Sequence, residues 1–345
     1  MKTVLTEPTE EALRDAARLI RAGEVVGFPT ETVYGLGADA TNADAIDKIF
    51  KAKGRPGDNP LIVHISNLDQ ISSVIRGEMP ESARRLAEAY WPGPLTMIFE
   101  KGPSIPLRVT AGLDSVAVRF PSHPVARALI AAAGVPIAAP SANLSGKPSP
   151  TLARHVMRDM DGRIPMILDG GACEVGVEST VADARTLPVR VLRPGGITPR
   201  MIADVLGEVE VDGSVLRPLR EGEIVRSPGM KYKHYAPEGS LVIVKGSPAA
   251  VAREICALYD ETPGSKRILA LEGHLPLYGG RSAVSLGADA KEMANRLFDA
   301  LRGMDEAGVS AIFSEAVEAD GIGLAVMNRL GRAAAFHIVE AGDER

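Results

Sequence analysis

Between Phe28 and His64 the chain gathers hydroxyl, amide and cationic side chains between apolar segments: Thr30 and Thr32, then Lys48, Lys51, Lys53 and Arg55, then Asn59 and His64. Thr30 and Thr32 alternate just past an apolar run, so their hydroxyls either face one crevice or cap a strand end in a turn. Gly35 and Gly37 are expected to let the backbone approach a ligand closely. Lys48 reads as part of a solvated helix face. Lys53-Gly54-Arg55-Pro56 falls past the expected helix end, where a flexible glycine and a rigid proline fix two cations. Such a pair suits phosphate oxygens, the lysine as a point charge and the arginine as a fork. His64, in a strand beside this cluster, reads as part of a polar site. Three further polar islands lie in apolar surroundings: Asp114 to Arg119, Pro140 to Gly146, and Glu178 to Val181 together with Leu192 to Gly195. Small hydroxyl and amide groups after the apolar Pro136–Ala139 suit a ligand held at a strand end, though each island alone is also ordinary turn chemistry. The sequence has no Walker A, HExxH or CxxC motif and no evident Ser-His-Asp set. Gly321-Ile322-Gly323 lacks the third glycine of a dinucleotide fingerprint and reads as a helix-capping turn. The chemistry expected is therefore positioning and charge neutralisation rather than covalent catalysis.

The elements that must position these groups follow from periodicity. Leu13, Ala16, Ala17 and Ile20 mark a helix from Glu10 to Ala22, and Ile46, Ile49 and Phe50 mark another over Ala43–Lys53. Further helices are expected at Pro80–Ala89, Pro124–Ala133 and Thr151–Met160. Short apolar runs predict strands at 25–28, 61–65, 96–99, 116–119, 137–139, 166–168, 179–182 and 189–192. After residue 95 the strands come too close together for a purely parallel sheet, so an α/β fold with a twisted mixed sheet is expected over residues 1–211. Residues 212–239, ending RSPGMKYKHYAPEG, lose apolar periodicity and read as an interdomain linker in which Tyr232, His234 and Tyr235 are unusual. From 240 to 345 strands and helices alternate at 241–244, 248–259, 267–271, 288–304, 310–313 and 324–330, the grammar of a small parallel Rossmann-like domain.

Composition narrows the function. Of 345 residues, 45% are hydrophobic and 24% charged, as in a globular protein. The net charge of −5 and 4% aromatic content argue against a module whose main task is gripping a nucleic-acid backbone. Cys173 and Cys256 lie far apart without metal-ligand spacing and read as two buried thiols in a reducing cytosol. Charges fall where a signal peptide would be apolar, and the longest apolar run, Ala128 to Pro140, is too short to span a bilayer. A cytoplasmic protein without membrane association is expected.

The ordered motifs PTETVYGLG, KGRP, NPLIVH, VAVRFP, PSANLSGKPSPT, GVESTV and VLRPGG resemble the YrdC/Sua family of L-threonylcarbamoyladenylate synthases over roughly residues 10–210. SPGMKYKHYAP and the βαβ tail resemble its two-domain branch. The resemblance implies a nucleotidyltransferase that makes threonylcarbamoyl-AMP and pyrophosphate from L-threonine, bicarbonate and ATP, for the N6-threonylcarbamoyl modification of tRNA adenosine 37. It implies threonine binding by Thr32, His64, Arg119, Ala139 and Ser179, with Arg119 facing the carboxylate. It implies ATP binding by Lys53, Arg55, Asn59, Ser115, Ser141, Ser149 and Arg193, with Lys51 nearby, Tyr235 as a lid, and Mg²⁺ accompanying the triphosphate. The partners implied are a downstream tRNA threonylcarbamoyltransferase complex and, weakly, tRNA. Two other readings stand beside it. One is an RNA-binding module without nucleotidyl transfer. The other is a carbamoyltransferase maturation factor, whose Cys-rich zinc fingers two cysteines cannot supply.

Overall fold

The computed structural model describes residues 2–54, 56–185, 187–217 and 235–342. These fall into two compact units, one over residues 2–145 and 149–215 and the other built chiefly from 235–342.

In the first unit the strands are β1 (Val4–Thr6), β2 (Val26–Phe28), β3 (Gly35–Asp39), β4 (Ile62–His64), β5 (Leu95–Glu100), β6 (Ser115–Arg119), β7 (Ile137–Ala139), β8 (Met166–Leu168), β9 (Thr180–Asp183), β10 (Val189–Arg193) and β11 (Val209–Val211). They form one sheet in the order β1-β8-β2-β3-β7-β4-β6-β5-β9-β10-β11. Parallel and antiparallel pairs mix along it: β4 runs parallel to β6, for example, and antiparallel to β7. The expected twisted mixed sheet is present.

Three helices are fixed by local chemistry. Thr9 caps Glu10–Arg21 by accepting from the Ala12 amide. Asn42 caps Ala43–Lys53, which Gly54 closes in a left-handed conformation (φ 62°). His123 caps Pro124–Ala133, which ends on Gly134. The helices Glu10–Arg21 and Pro124–Ala133 share a core with Phe28, Ile137 and Ala139.

The central strands sort their side chains by period two. Val63, Val116, Val118, Met97, Phe99 and Ala182 enter the main core. The alternate residues Ile62, Ala117, Ile98 and Val181, with Leu192, form a separate small apolar cluster on the opposite face. Residues in register share a face, so His64, Arg119 and Thr96 form a row across β4, β6 and β5 on that second face.

Several elements differ from expectation. Gly35–Asp39, where no element is expected from periodicity, is a strand held by β2 on one side and β7 on the other. The edge strands β1 and β11 and the helix Pro199–Leu206 are additions. The turn Gly213–Val215 still packs in this unit, with Ser214 and Val215 buried.

In the second unit β12 (Ser240–Lys245), β13 (Lys266–Ala270), β14 (Ala283–Ser285), β15 (Ala311–Glu315) and β16 (Ile338–Glu340) pair in the order β14-β13-β15-β12-β16. Every pair is parallel, as the strand–helix alternation predicts. The Glu315 carboxylate is buried at the end of β15, where it accepts from Tyr278 Oη at 2.5 Å and the Leu271 amide at 3.1 Å. Gly321 (φ 46°) precedes the helix Gly323–Ala333, in agreement with a capping turn. Among the described residues no helix is long and apolar enough to cross a membrane.

Candidate functional site

The first motif and the third polar island are laced together by backbone. The Leu36 amide donates to Pro140 O, Ala142 N to Tyr34 O, and Tyr34 N to Pro150 O, all at 2.8–2.9 Å. This zipper brings residues 34–36 against 140–142 and Pro150 across more than a hundred residues of sequence.

At one end of the row on the second sheet face stands a buried polar cluster. The Thr30 and Thr32 hydroxyls lie 2.9 Å apart, and Thr30 Oγ1 also donates to Val33 O at 2.7 Å. Arg119, at the end of β6, approaches Thr30 Oγ1 at 3.4 Å and pairs with Glu31 at 2.7 Å, both charged groups being about 5% exposed or less. His64 sits beside them at the end of β4. Its Nδ1 lies 3.1 Å from Ile62 O and its ring meets Phe28 edge-on at 6.1 Å. Burial first, then the Arg119 charge, push its pKa down to about 3, so the imidazole is neutral at pH 7. Burial alone would raise the Glu31 pKa, but the adjacent Arg119 guanidinium and the nearby Glu31 and Ser122 amides outweigh it and hold the carboxyl below its usual range.

A second cluster surrounds Lys53. Its ammonium is buried and donates to Ser141 O at 2.5 Å and Asn143 O at 2.6 Å. Ser141 Oγ donates in turn to Asn143 Oδ1 at 2.5 Å. Lys53 is the last residue of its helix rather than a residue beyond it. A third cluster joins β5, β9 and β10: Ser179 Oγ lies 2.8 Å from Thr96 Oγ1, and Arg193 donates to Ser179 O at 3.0 Å and Oγ at 3.1 Å. Nearby, the buried Ser149 hydroxyl donates to Glu178. Gly195 lets the following turn hug this segment, since a Cβ there would stand 2.4 Å from the Thr180 amide.

Of the predicted site residues, Thr32, His64 and Arg119 are brought together. Lys53 and Ser141 meet, and so do Ser179 and Arg193. Asn59 is fully buried. Ala139 is buried at the end of β7 with its methyl in the Phe28 core, which leaves only backbone to meet a ligand. Ser115 shares the Arg119 face of β6 but starts the strand, two pleats or roughly 13 Å away. Lys51 is exposed on its helix. Arg55, Tyr232 and His234 lie outside the described residues. Tyr235 is buried in the second unit, 5.2 Å from the Phe298 ring and 5.9 Å from the Arg329 guanidinium.

Two expectations need correction. Gly35 and Gly37 make room for protein, not ligand: a Cβ on either would come within 2.9 Å of the Phe28 ring packed across β2 and β3. Cys256 is half-buried rather than buried, while the Cys173 thiol is pushed up to about 12 by burial. Sequence reasoning left Glu31 and Thr96 without a role and named Asn143 and Glu178 only as members of polar islands. A threonine inside the buried run Leu95–Phe99 was the signal for one of them. Among the described residues no group of three or more His, Cys, Asp or Glu could hold a metal ion.

The chain matches a family model described as "Telomere recombination" over residues 18–195. A second model, described as the C-terminal domain of threonylcarbamoyl-AMP synthase, matches residues 197–335. The threonylcarbamoyl-AMP synthase of Pyrococcus abyssi is 46% identical over 96% of both chains. This chain belongs to the two-domain threonylcarbamoyl-AMP synthase family. The Bacillus subtilis threonylcarbamoyl-AMP synthase is 48% identical over 95% of this chain and 94% of its own. The crystal structure of Pyrococcus abyssi Sua5 complexed with L-threonine superposes with a TM-score of 0.91 at 43% identity, covering 99% of each chain.

Proposed function

We propose that the chain makes threonylcarbamoyl-AMP and pyrophosphate from L-threonine, bicarbonate and ATP on the Arg119 face of the central sheet. The observation that carries this reading is the buried set of Arg119, Thr30, Thr32 and His64 on the sheet face that also holds Ile62, Ala117, Ile98 and Val181, together with the Lys53, Ser141 and Asn143 cluster on the segment that pairs with residues 34–36. Arg119 is suited to the threonine carboxylate, since a guanidinium binds a carboxylate as a fork. Neutral His64 and the threonine hydroxyls offer hydrogen bonds without adding charge. The Lys53 loop, with Asn59, Ser149 and Arg193, is suited to the nucleotide, and Ser115 marks the far end of the same face. Of the described side chains assigned to the nucleotide, Lys53, Asn59, Ser115, Ser141, Ser149 and Arg193, none is a carboxylate, so Mg²⁺ would enter on the triphosphate oxygens of Mg-ATP.

The reaction needs no protein nucleophile. The threonine amine attacks the one-carbon carbonyl unit to give a carbamate, with water lost from bicarbonate. A carbamate oxygen then attacks the α-phosphorus as the bond to pyrophosphate breaks. Alignment and charge neutralisation carry both steps. The product would be passed to a tRNA threonylcarbamoyltransferase. Purified protein given threonine, bicarbonate and Mg-ATP should release pyrophosphate only when both threonine and bicarbonate are present. Absence of release, with tight salt-sensitive RNA binding, would overturn this in favour of an RNA-binding module.

A further inference from the structure

The cluster around Arg119 holds one charged group to which the reading above gives no task. Glu31 is 4% exposed and forms its ion pair with Arg119 at 2.7 Å. Yet neither Glu31 oxygen, nor Arg119 Nε, has a hydrogen bond of normal geometry among the described residues. The Glu31 and Ser122 amides lie close enough to favour the anion without reaching that geometry. A buried ion pair is costly unless its remaining lone pairs and protons are satisfied. Here the protein leaves acceptor capacity on the carboxylate and donor capacity on the guanidinium, side by side.

That pattern does not suit a simple anion. A carboxylate arriving alone at Arg119 would meet the Glu31 charge at close range and leave the site one negative charge in excess. It suits a molecule that carries a cation and an anion on neighbouring atoms. Thr30, Thr32 and neutral His64, the other polar groups of the cluster, add no charge to tip the balance.

We propose that Glu31 is the ammonium half of the amino-acid site: its carboxylate receives the α-ammonium while Arg119 receives the α-carboxylate. The pair therefore selects a zwitterion and rejects the same carbon skeleton without its amine. This rests on the reading of Arg119 as the carboxylate partner. Glu31 stays ionised and accepts a hydrogen bond from the ammonium, which gives up one proton to solvent before the amine attacks.

The test is calorimetric titration of the full chain, in bicarbonate-free buffer, with L-threonine and with 3-hydroxybutanoate, which replaces the amine by hydrogen. Wild type should bind threonine at least about 30-fold more tightly than the analogue, and Glu31→Gln should reduce threonine affinity by at least about 30-fold and nearly abolish the preference. Glu31→Asp, which keeps the charge, should retain part of it. A Glu31→Gln protein that keeps the full preference, or that loses both ligands equally, overturns the inference, the second result because it shows that Glu31 only anchors Arg119. If Glu31→Gln does not fold, the wild-type comparison decides: equal binding of the two ligands overturns it. Pyrophosphate release with Glu31-independent threonine binding would sink this inference alone. Glu31-dependent zwitterion selection without bicarbonate-dependent release would uphold it and sink the reading of the reaction.

Discussion

Replacing Lys53 by methionine keeps the length of the side chain and removes its charge. In the folded protein the ammonium satisfies Ser141 O and Asn143 O at 2.5 and 2.6 Å, in a site that is 3% exposed. Hydrogen bonds to a charged donor contribute about 1.5–3 kcal/mol each, so the gross loss is about 3–6 kcal/mol. Removing a buried ammonium also relieves its desolvation cost, which leaves a net destabilisation of about 2–4 kcal/mol. At about 2–4 °C per kcal/mol for a domain of this size, Tm should fall by about 4–16 °C. The freed carbonyls belong to the loop that Ala142 ties to Tyr34, so the loss should reach the proposed nucleotide side first. Pyrophosphate release titrated separately with ATP and threonine should show kcat/KM falling more steeply for ATP. Tm within about 2 °C of wild type together with unchanged ATP dependence would refute the staple role assigned to Lys53.

Acid should destabilise the protein through His64. Its folded pKa of about 3 lies below the ordinary histidine value of 6.5, so the unfolded chain binds the extra proton. The stability is complete above about pH 6.5 and is lost on acidification, at up to about 1.4 kcal/mol per pH unit. Urea unfolding at pH 7 and pH 5 should show about 2 kcal/mol of loss that His64→Gln removes; an equal loss in the variant would count against it. Arg119→Met alone should cost about 3–5 kcal/mol by leaving Glu31 buried without its partner, and adding Glu31→Gln should recover most of it. Chemical denaturation of the two single variants and the double variant measures the coupling, and additive losses would refute it. In the second unit, Tyr278→Phe removes the 2.5 Å donor to buried Glu315, and unfolding should show a loss of about 1–3 kcal/mol.

Much of the fold was legible in sequence because its elements satisfy themselves locally. The helices Ala43–Lys53 and Pro124–Ala133 fall where expected because each couples an apolar stripe to a capping residue and a left-handed glycine. The strands Ile137–Ala139 and Met166–Leu168 are short apolar runs between turn signals. β3 was not legible: Gly35, Gly37 and Asp39 carry little strand propensity, and the strand exists because β2 and β7 flank it. The three-residue strands β14 and β16 at the sheet edges carry too few residues to show a period. The site behaves the same way. Residue types announced the polar islands, but which groups meet is set by distant pairing. Thr30 lies 89 residues from Arg119, and no local pattern joins Thr96 to Ser179 across 83. Glu31 was hidden for another reason: its task is defined by the charge beside it.

The Lys53 contact spans 88 residues and the Arg119–Thr30 contact 89. Loops of this length close late, after the local helices have formed, because their closure entropy is met before the contacts repay it. The proposed binding site is thus a product of the last stage of folding. A nascent or refolding chain can show native helix content while its amino-acid and nucleotide subsites are still separate stretches of polymer. Recovery of ligand binding should trail recovery of helix. A chain truncated before residue 141 would carry Thr30, Glu31, His64 and Arg119 but neither the Ser141 and Asn143 carbonyls that hold Lys53 nor Ser179 and Arg193.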